Sequence, residues 1–144
     1  MTGLLVLVGV ALFVAVVAWR RSRTDGRVAQ RSGTAPAGGA AAVGVLDGTP
    51  WAGALGDRAT LVQFSSAFCA PCRATRVVLA DVAAEADGVV HLEIDAEQHL
   101  DVVRALKVLR TPTTLVLDRD GVERGRATGA PSRDQVKHSL SLIK

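Results

Sequence analysis

Leu61-Val62-Gln63-Phe64-Ser65-Ser66-Ala67-Phe68-Cys69-Ala70-Pro71-Cys72-Arg73 decides how this chain reads. Its first four residues form a short apolar run suited to a buried strand. Beyond Cys72, Ala74, Val78 and Val82 recur at helical spacing as far as Gly88, a natural residue for the position after a helix. The chain's two cysteines therefore fall between a strand and a helix. Random placement would set two cysteines three apart roughly 1% of the time, and a single pair is too few for a disulfide-stapled scaffold. At the first turn of a helix, unpaired N–H groups and the dipole favour a thiolate on Cys69, and the thiolate is the attacking form of sulfur. Cys72 lies one turn further on the same face, and Pro71 lacks an N–H that the first turn does not use.

Downstream, Val89 to Ile94 alternates, with Val90, Leu92 and Ile94 on one face, and reads as a strand. Glu97 to Lys107 reads as a helix through Leu100, Val103 and Leu106. Thr114 to Leu117 is a strand, Asp118-Arg119-Asp120-Gly121 is turn chemistry, and Val122 to Ala127 returns antiparallel. Ser132 with Gln135 makes a capping box, opening a helix lined by Val136, Leu140 and Ile143. Strands separated by helices pair in parallel and a terminal hairpin adds antiparallel strands. The expected fold is α/β, a mixed sheet flanked by helices on both faces.

These elements resemble the thioredoxin family. Leu61-Val62-Gln63-Phe64 followed by Cys69-Ala70-Pro71-Cys72-Arg73 is similar to the family's strand and Cys-x-x-Cys helix. Leu109-Arg110-Thr111-Pro112-Thr113 resembles its cis-proline loop, and Val122 to Ala127 with Thr128-Gly129-Ala130 resembles its last strand and the glycine before its final helix. The likeness runs from Leu61 to Leu142, and the family's usual first strand and helix look shortened or missing. It implies a thioredoxin-like fold and thiol–disulfide exchange with protein disulfide substrates, without a cofactor, recharged by a reductase or dithiol donor. Cys69 would be the nucleophile and Cys72 the resolving thiol. Pro112 would be cis opposite the disulfide, and Thr111 would offer backbone hydrogen bonds to a substrate chain. Phe68, Ala70, Pro71 and Gly129 would complete the substrate-contacting set.

The departures from the family pattern are specific. Ser65 and Phe68 stand where tryptophans are common, and Ala70 where thioredoxin proper has glycine. The buried acid beneath the second cysteine aligns with Gln63, and the lysine facing that acid aligns with His91. An imidazole titrates near pH 6.5, so His91 is a candidate to handle the proton of Cys72. The alternative is a structural histidine hydrogen-bonded to Gln63.

Two other functions are compatible with the residues. A Cys-x-x-Cys after a strand can hold a soft metal such as Cu(I), or supply half of a zinc site. No methionine or third cysteine lies near the pair, so no metal ligand set is assigned. A fold without its activity would leave a docking domain.

The N-terminal part reads differently. Gly3 to Trp19 carries no charge, and 17 helical residues span about 25 Å, close to the ~30 Å hydrocarbon core of a bilayer. A cleaved signal peptide needs a basic start and a small-residue end, which Met1-Thr2 and Ala18-Trp19-Arg20-Arg21 do not supply. Residues 1–19 are therefore expected to form a transmembrane anchor embedded through residues 3–19. Residues 20–42 are expected to form a basic juxtamembrane segment and flexible linker, and residues 43–144 the thioredoxin-like domain. Arg20, Arg21, Arg23, Arg27 and Arg31 outweigh Asp25 in the juxtamembrane stretch, whereas residues 32–144 carry 12 basic and 13 acidic side chains. Basic residues are retained on the cytoplasmic side, which puts the domain on that face. A nucleic-acid-binding domain would carry its basic excess on the folded part, so no nucleic-acid partner is expected. Ser32 to Ala42 is small, Gly-rich and aperiodic, the composition of a tether.

Overall fold

The computed structural model describes residues 2–24, 28–30 and 44–143. In chain order it contains α1 (Thr2–Thr24), β1 (Val28–Gln30), β2 (Ala59–Ser65), α2 (Ala70–Glu85), β3 (Val89–Asp95), α3 (Leu100–Ala105), β4 (Thr113–Asp118), β5 (Glu123–Thr128) and α4 (Arg133–Ser141). The strands form one sheet in the order β1-β5-β4-β2-β3. β2 and β3 run parallel, with α2 as their crossover, and every other pairing is antiparallel. The expected mixed α/β sheet is the architecture found.

β2 lies inside the sheet and all seven of its residues are buried. A strand covered on both faces reads as an unbroken apolar run, which is why Leu61 to Phe64 stands out in the sequence. One face, carrying Ala59, Leu61, Val89 and Val116, packs against Leu79 and Val82 of α2 and Val136, Leu140 and Ile143 from α4 and its end. The other carries Val62, Phe64, Ile94, Leu115 and Leu117 and is covered by Leu46, Val102 and Val108, with Trp51 at its margin. The Trp51 ring also meets the His99 ring edge-on, 4.7 Å between centroids, so His99 is not a bare surface residue.

Several local expectations are adjusted. α2 turns Cys72, Thr75, Leu79 and Val82 inward, whereas Ala74 is exposed and Val78 half-buried. The helix docks through the face that carries Cys72, and only Val82 belongs to both sets. α2 ends at Glu85, and Gly88, at φ 71°, serves the turn into β3, its carbonyl accepting from Arg58 and Ala59 N–H. On β3, an edge strand, Val90 is 36% exposed while its neighbour Val89 is buried on the opposite face. α3 is shorter than predicted and buries Val102 rather than Leu100. The hairpin and capping box form as expected: Asp118 Oδ1 accepts from Asp120 and Val122 N–H, and Ser132 and Gln135 bond reciprocally.

The N-terminal part differs most. Val28–Gln30, inside the 20–42 stretch expected to be a basic juxtamembrane segment and flexible linker, is an edge strand paired with β5. Three residues carry no detectable period, and the pairing partner lies about 100 positions away, so only the assembled sheet reveals it. The tether composition of Ser32 to Ala42 lies outside the described residues. The expected anchor falls on α1. Its side chains at 6–20 are all exposed, yet among the described residues no helix is long and apolar enough to cross a membrane.

Phe64 is fully buried in the α3-side core. Phe64→Ala should destabilise the domain by about 3–5 kcal/mol, whereas Val77→Ala, on a side chain 60% exposed, should change it by less than about 0.5 kcal/mol. Urea unfolding of both variants measures the contrast.

Candidate active site

Cys69 is the N-cap of α2, in extended conformation, and its Sγ accepts a hydrogen bond from the Cys72 N–H at 3.1 Å. That donor is one of the orphan groups at a helix start, and a sulfur takes the place of the usual Ser or Asp oxygen. The two cysteines are joined as a disulfide, with Cα atoms 5.2 Å apart. Their surroundings are unequal. Cys72 is 1% exposed beneath the helix, whereas Cys69 is partly open to solvent and flanked by Phe68, which is 99% exposed. Once the bond is reduced, a thiolate on Cys69 keeps the same N–H and the positive end of the helix, both of which favour the ionised form.

Gln63, fully buried on β2, spans the floor of the site. Its Nε2 donates to the Cys72 carbonyl at 2.9 Å and to Ser65 Oγ at 2.8 Å. The amide thus fixes the backbone of the buried cysteine. Among the described residues Gln63 Oε1 and His91 Nε2 are buried without a hydrogen-bond partner, so the alternative reading of His91 as a histidine bonded to Gln63 is not what the structure shows. The parallel register explains it: His91 pairs with Leu61, and the residue opposite Gln63 is Glu93. A cleft of about 400 Å³ beside the disulfide is lined by Ser65, Ser66, Cys69, Cys72, Arg73, Arg76, Glu93 and Asp95, and His91 is not part of its wall. Burial pushes the His91 imidazole below its ordinary value, against an opposing pull from Glu93. Glu93 is held below the usual carboxylate range, chiefly by hydrogen bonds from Arg76, at 2.5 and 2.7 Å, with the Ser65 hydroxyl adding to the effect.

The second loop arrives from β4. The Thr111–Pro112 peptide is cis and Pro112 is buried. β4 begins at Thr113, opposite Phe64, so this loop lies against the cysteine loop, and Ser66 Oγ and Thr111 Oγ1 are hydrogen-bonded at 3.0 Å. Gly129, at φ 97°, donates its N–H to the Pro112 carbonyl at 2.8 Å. Cys69, Cys72, Pro112, Thr111 and Gly129, far apart in sequence, thus meet at one end of the sheet, with Phe68, Ala70 and Pro71 exposed beside them.

The sequence model of the thioredoxin family matches residues 43–141. The chain belongs to the thioredoxin family. It is 30% identical to thioredoxin H2-1 of Oryza sativa subsp. japonica over 84 residues, covering 58% of this chain and 59% of the relative. The likeness to Mycoplasma pneumoniae thioredoxin is 30% over 81 residues, covering 56% of this chain and 78% of the relative. The solved thioredoxin NaTrxh from Nicotiana alata superposes with a TM-score of 0.55 at 26% identity, covering 61% of this chain and 75% of that one. The chain spans about six tenths of the length of the thioredoxin H2-1 that it matches.

Within this thioredoxin domain, sequence reasoning missed three site features. Glu93 and Arg76 form the ionised side of the cleft, the Ser66–Thr111 bond ties the two loops, and Leu109, 93% exposed, presents a bare apolar side chain on the proline loop. The Ser65 position was the available signal, because a hydroxyl in place of a bulky ring leaves room for a cleft beside it. Among the described residues no group of three or more His, Cys, Asp or Glu is placed to hold a metal.

In the dithiol form, Cys69 should react with iodoacetamide at least ~10 times faster than Cys72 at neutral pH, read by peptide mass spectrometry. A second expectation concerns Glu93. Its carboxyl is depressed in the folded state, so its contribution to stability is present above the ordinary value of 4.5 and lost as pH falls through the folded value. Glu93→Gln should therefore lower the unfolding midpoint slightly at pH 7, with the difference vanishing at strongly acid pH.

Proposed function

We propose that this thioredoxin domain is a thiol–disulfide oxidoreductase that reduces disulfides of protein substrates through Cys69 and Cys72. The observation that carries the reading is the asymmetry of the pair, an accessible sulfur capping a helix and a buried one a turn later. In the first step the Cys69 thiolate attacks a substrate disulfide, one substrate sulfur leaves as a thiolate, and a mixed disulfide remains. In the second, Cys72 loses its proton and attacks Cys69 Sγ, and the other substrate sulfur leaves. The substrate gains two electrons and the protein ends as the disulfide form. A separate reductase or dithiol donor restores the dithiol. Whether the cycle runs toward reduction depends on its potential against the compartment, with 30 mV equivalent to about 1.4 kcal/mol.

The same reading includes a membrane anchor formed by residues 3–19, with the domain on the cytoplasmic face. Its support is the uncharged run from Gly3 to Trp19, the exposed apolar side chains of α1 and the arginines that follow them. The proposed organisation is an anchor at 1–19, a basic segment and linker at 20–42 interrupted by β1, and the thioredoxin domain at 43–144.

The full-length chain with Cys72→Ser should accumulate mixed disulfides on Cys69 in cells, while Cys69→Ser should accumulate none and lose at least ~10²-fold in disulfide reduction by the purified protein. If Cys72→Ser traps no partner and the wild type reduces no disulfide, the domain is a docking module and the proposal is wrong.

A further inference from the structure

β2 runs toward Ser65 and the cysteines, β4 begins beside its end, and β5 finishes opposite the start of β4, Thr128 facing Thr113. These three ends define the redox end of the sheet. β1 is antiparallel to β5, with Val28 opposite Ala127 and Gln30 opposite Gly125. The chain therefore enters the sheet at the redox end and runs away from it. Val28 lies two strand spacings, about 10 Å, from the β4 strand that follows Pro112. Thr24, the last residue of α1, is four peptide steps from Val28, at most about 15 Å of chain. Helix α1 thus departs from the end of the domain that carries Cys69.

The strand is seated by packing as well as by its ladder. Val28 is half-buried against the α2- and α4-side core, and a Cβ at Gly125 would come within 3.0 Å of its Cγ1. Val28 fills a notch that only glycine leaves. At the same end, Phe68 and Leu109 are 99% and 93% exposed, both apolar and both on the loops that flank the disulfide.

We propose that α1 holds the domain with its redox end facing the bilayer, so that it exchanges disulfides carried by membrane proteins within roughly 23 Å of the surface, the reach of helical residues 20–24 plus the chain from Thr24 to Val28. This rests on the reading of α1 as a membrane anchor. A free tether over residues 20–42 would let the domain wander with a root-mean-square span of about 26 Å and sample every orientation. Pairing of β1 leaves three residues, 25–27, between helix and sheet, which restricts both reach and orientation. Arg20, Arg21, Arg23 and Arg27 lie in or beside that short connection, where anionic headgroups attract them. Phe68 and Leu109 then point toward the interface, where apolar side chains leave water most readily.

The test uses the pre-reduced full-length protein in anionic phospholipid vesicles, in single turnover. The substrate is one disulfide-bonded peptide on a single-span anchor, placed at the bilayer surface or raised about 40 Å on a rigid helical spacer. The surface disulfide should be reduced at least ~10-fold faster, because a short tether raises its effective concentration. Inserting a flexible Gly/Ser segment after Thr24, or unseating β1 with Gly125→Val, should abolish that preference and leave reduction of a soluble disulfide unchanged. Equal rates on the two anchored substrates by vesicle-embedded wild type would overturn the orientation while leaving the anchor standing. Loss of the protein from vesicles in an alkaline wash would overturn the anchor and this inference with it. Failure on the soluble disulfide as well would overturn the exchange activity itself.

Discussion

A sulfur in the place of a helix cap is the constraint around which the domain is arranged. Cys69 Sγ receives the Cys72 N–H at the start of α2, which begins within a few residues of the end of β2, so a rigid β2 fixes where that cap sits. The seven buried residues of β2, paired on both sides, supply the rigidity. β4 then brings the cis-proline loop to the same end, where the Ser66–Thr111 hydrogen bond joins the two loops. The apolar packing beneath the sheet and the reactivity at its edge are consequences of one placement.

Beneath the buried cysteine stands an amide rather than a titrating group, as the sequence reading placed it. Gln63 holds Cys72 by a hydrogen bond to its carbonyl and has no proton to exchange at ordinary pH. Ionisable groups are displaced sideways, to Glu93 and Arg76 in the cleft, and neutralise each other there. Gln63 Oε1, Thr75 Oγ1, Thr114 Oγ1 and His91 Nε2 are all on the α2-facing side of the sheet and lack partners among the described residues. These polar atoms lie on the same side of the sheet as the Leu61, Leu79 and Val82 core, and burial there lowers the proton affinity of the one titratable group among them, His91.

The edge strand β1 changes what the N-terminal segment does mechanically. Its three residues tie part of the basic juxtamembrane stretch to the sheet edge. The sheet gains a fifth strand, and the exposed apolar helix before it is connected to one defined end of the domain.

Much of the fold was legible in the sequence because its signals are local. Leu61 to Phe64, the Asp118–Gly121 turn and the Ser132/Gln135 capping box each follow from neighbours within a few positions, and each forms as expected. The spacing of Cys69 and Cys72 is local too, and the N-terminus of a helix activates a sulfur whatever surrounds it. The tertiary structure alone decided the rest. It set Glu93 rather than His91 opposite Gln63, turned the Cys72–Thr75–Leu79 face of α2 inward, and paired Val28–Gln30 with β5. Register, docking face and edge pairing are relations between segments distant along the chain. Each is settled by which of several similar packings buries the most surface, a quantity that no single segment contains.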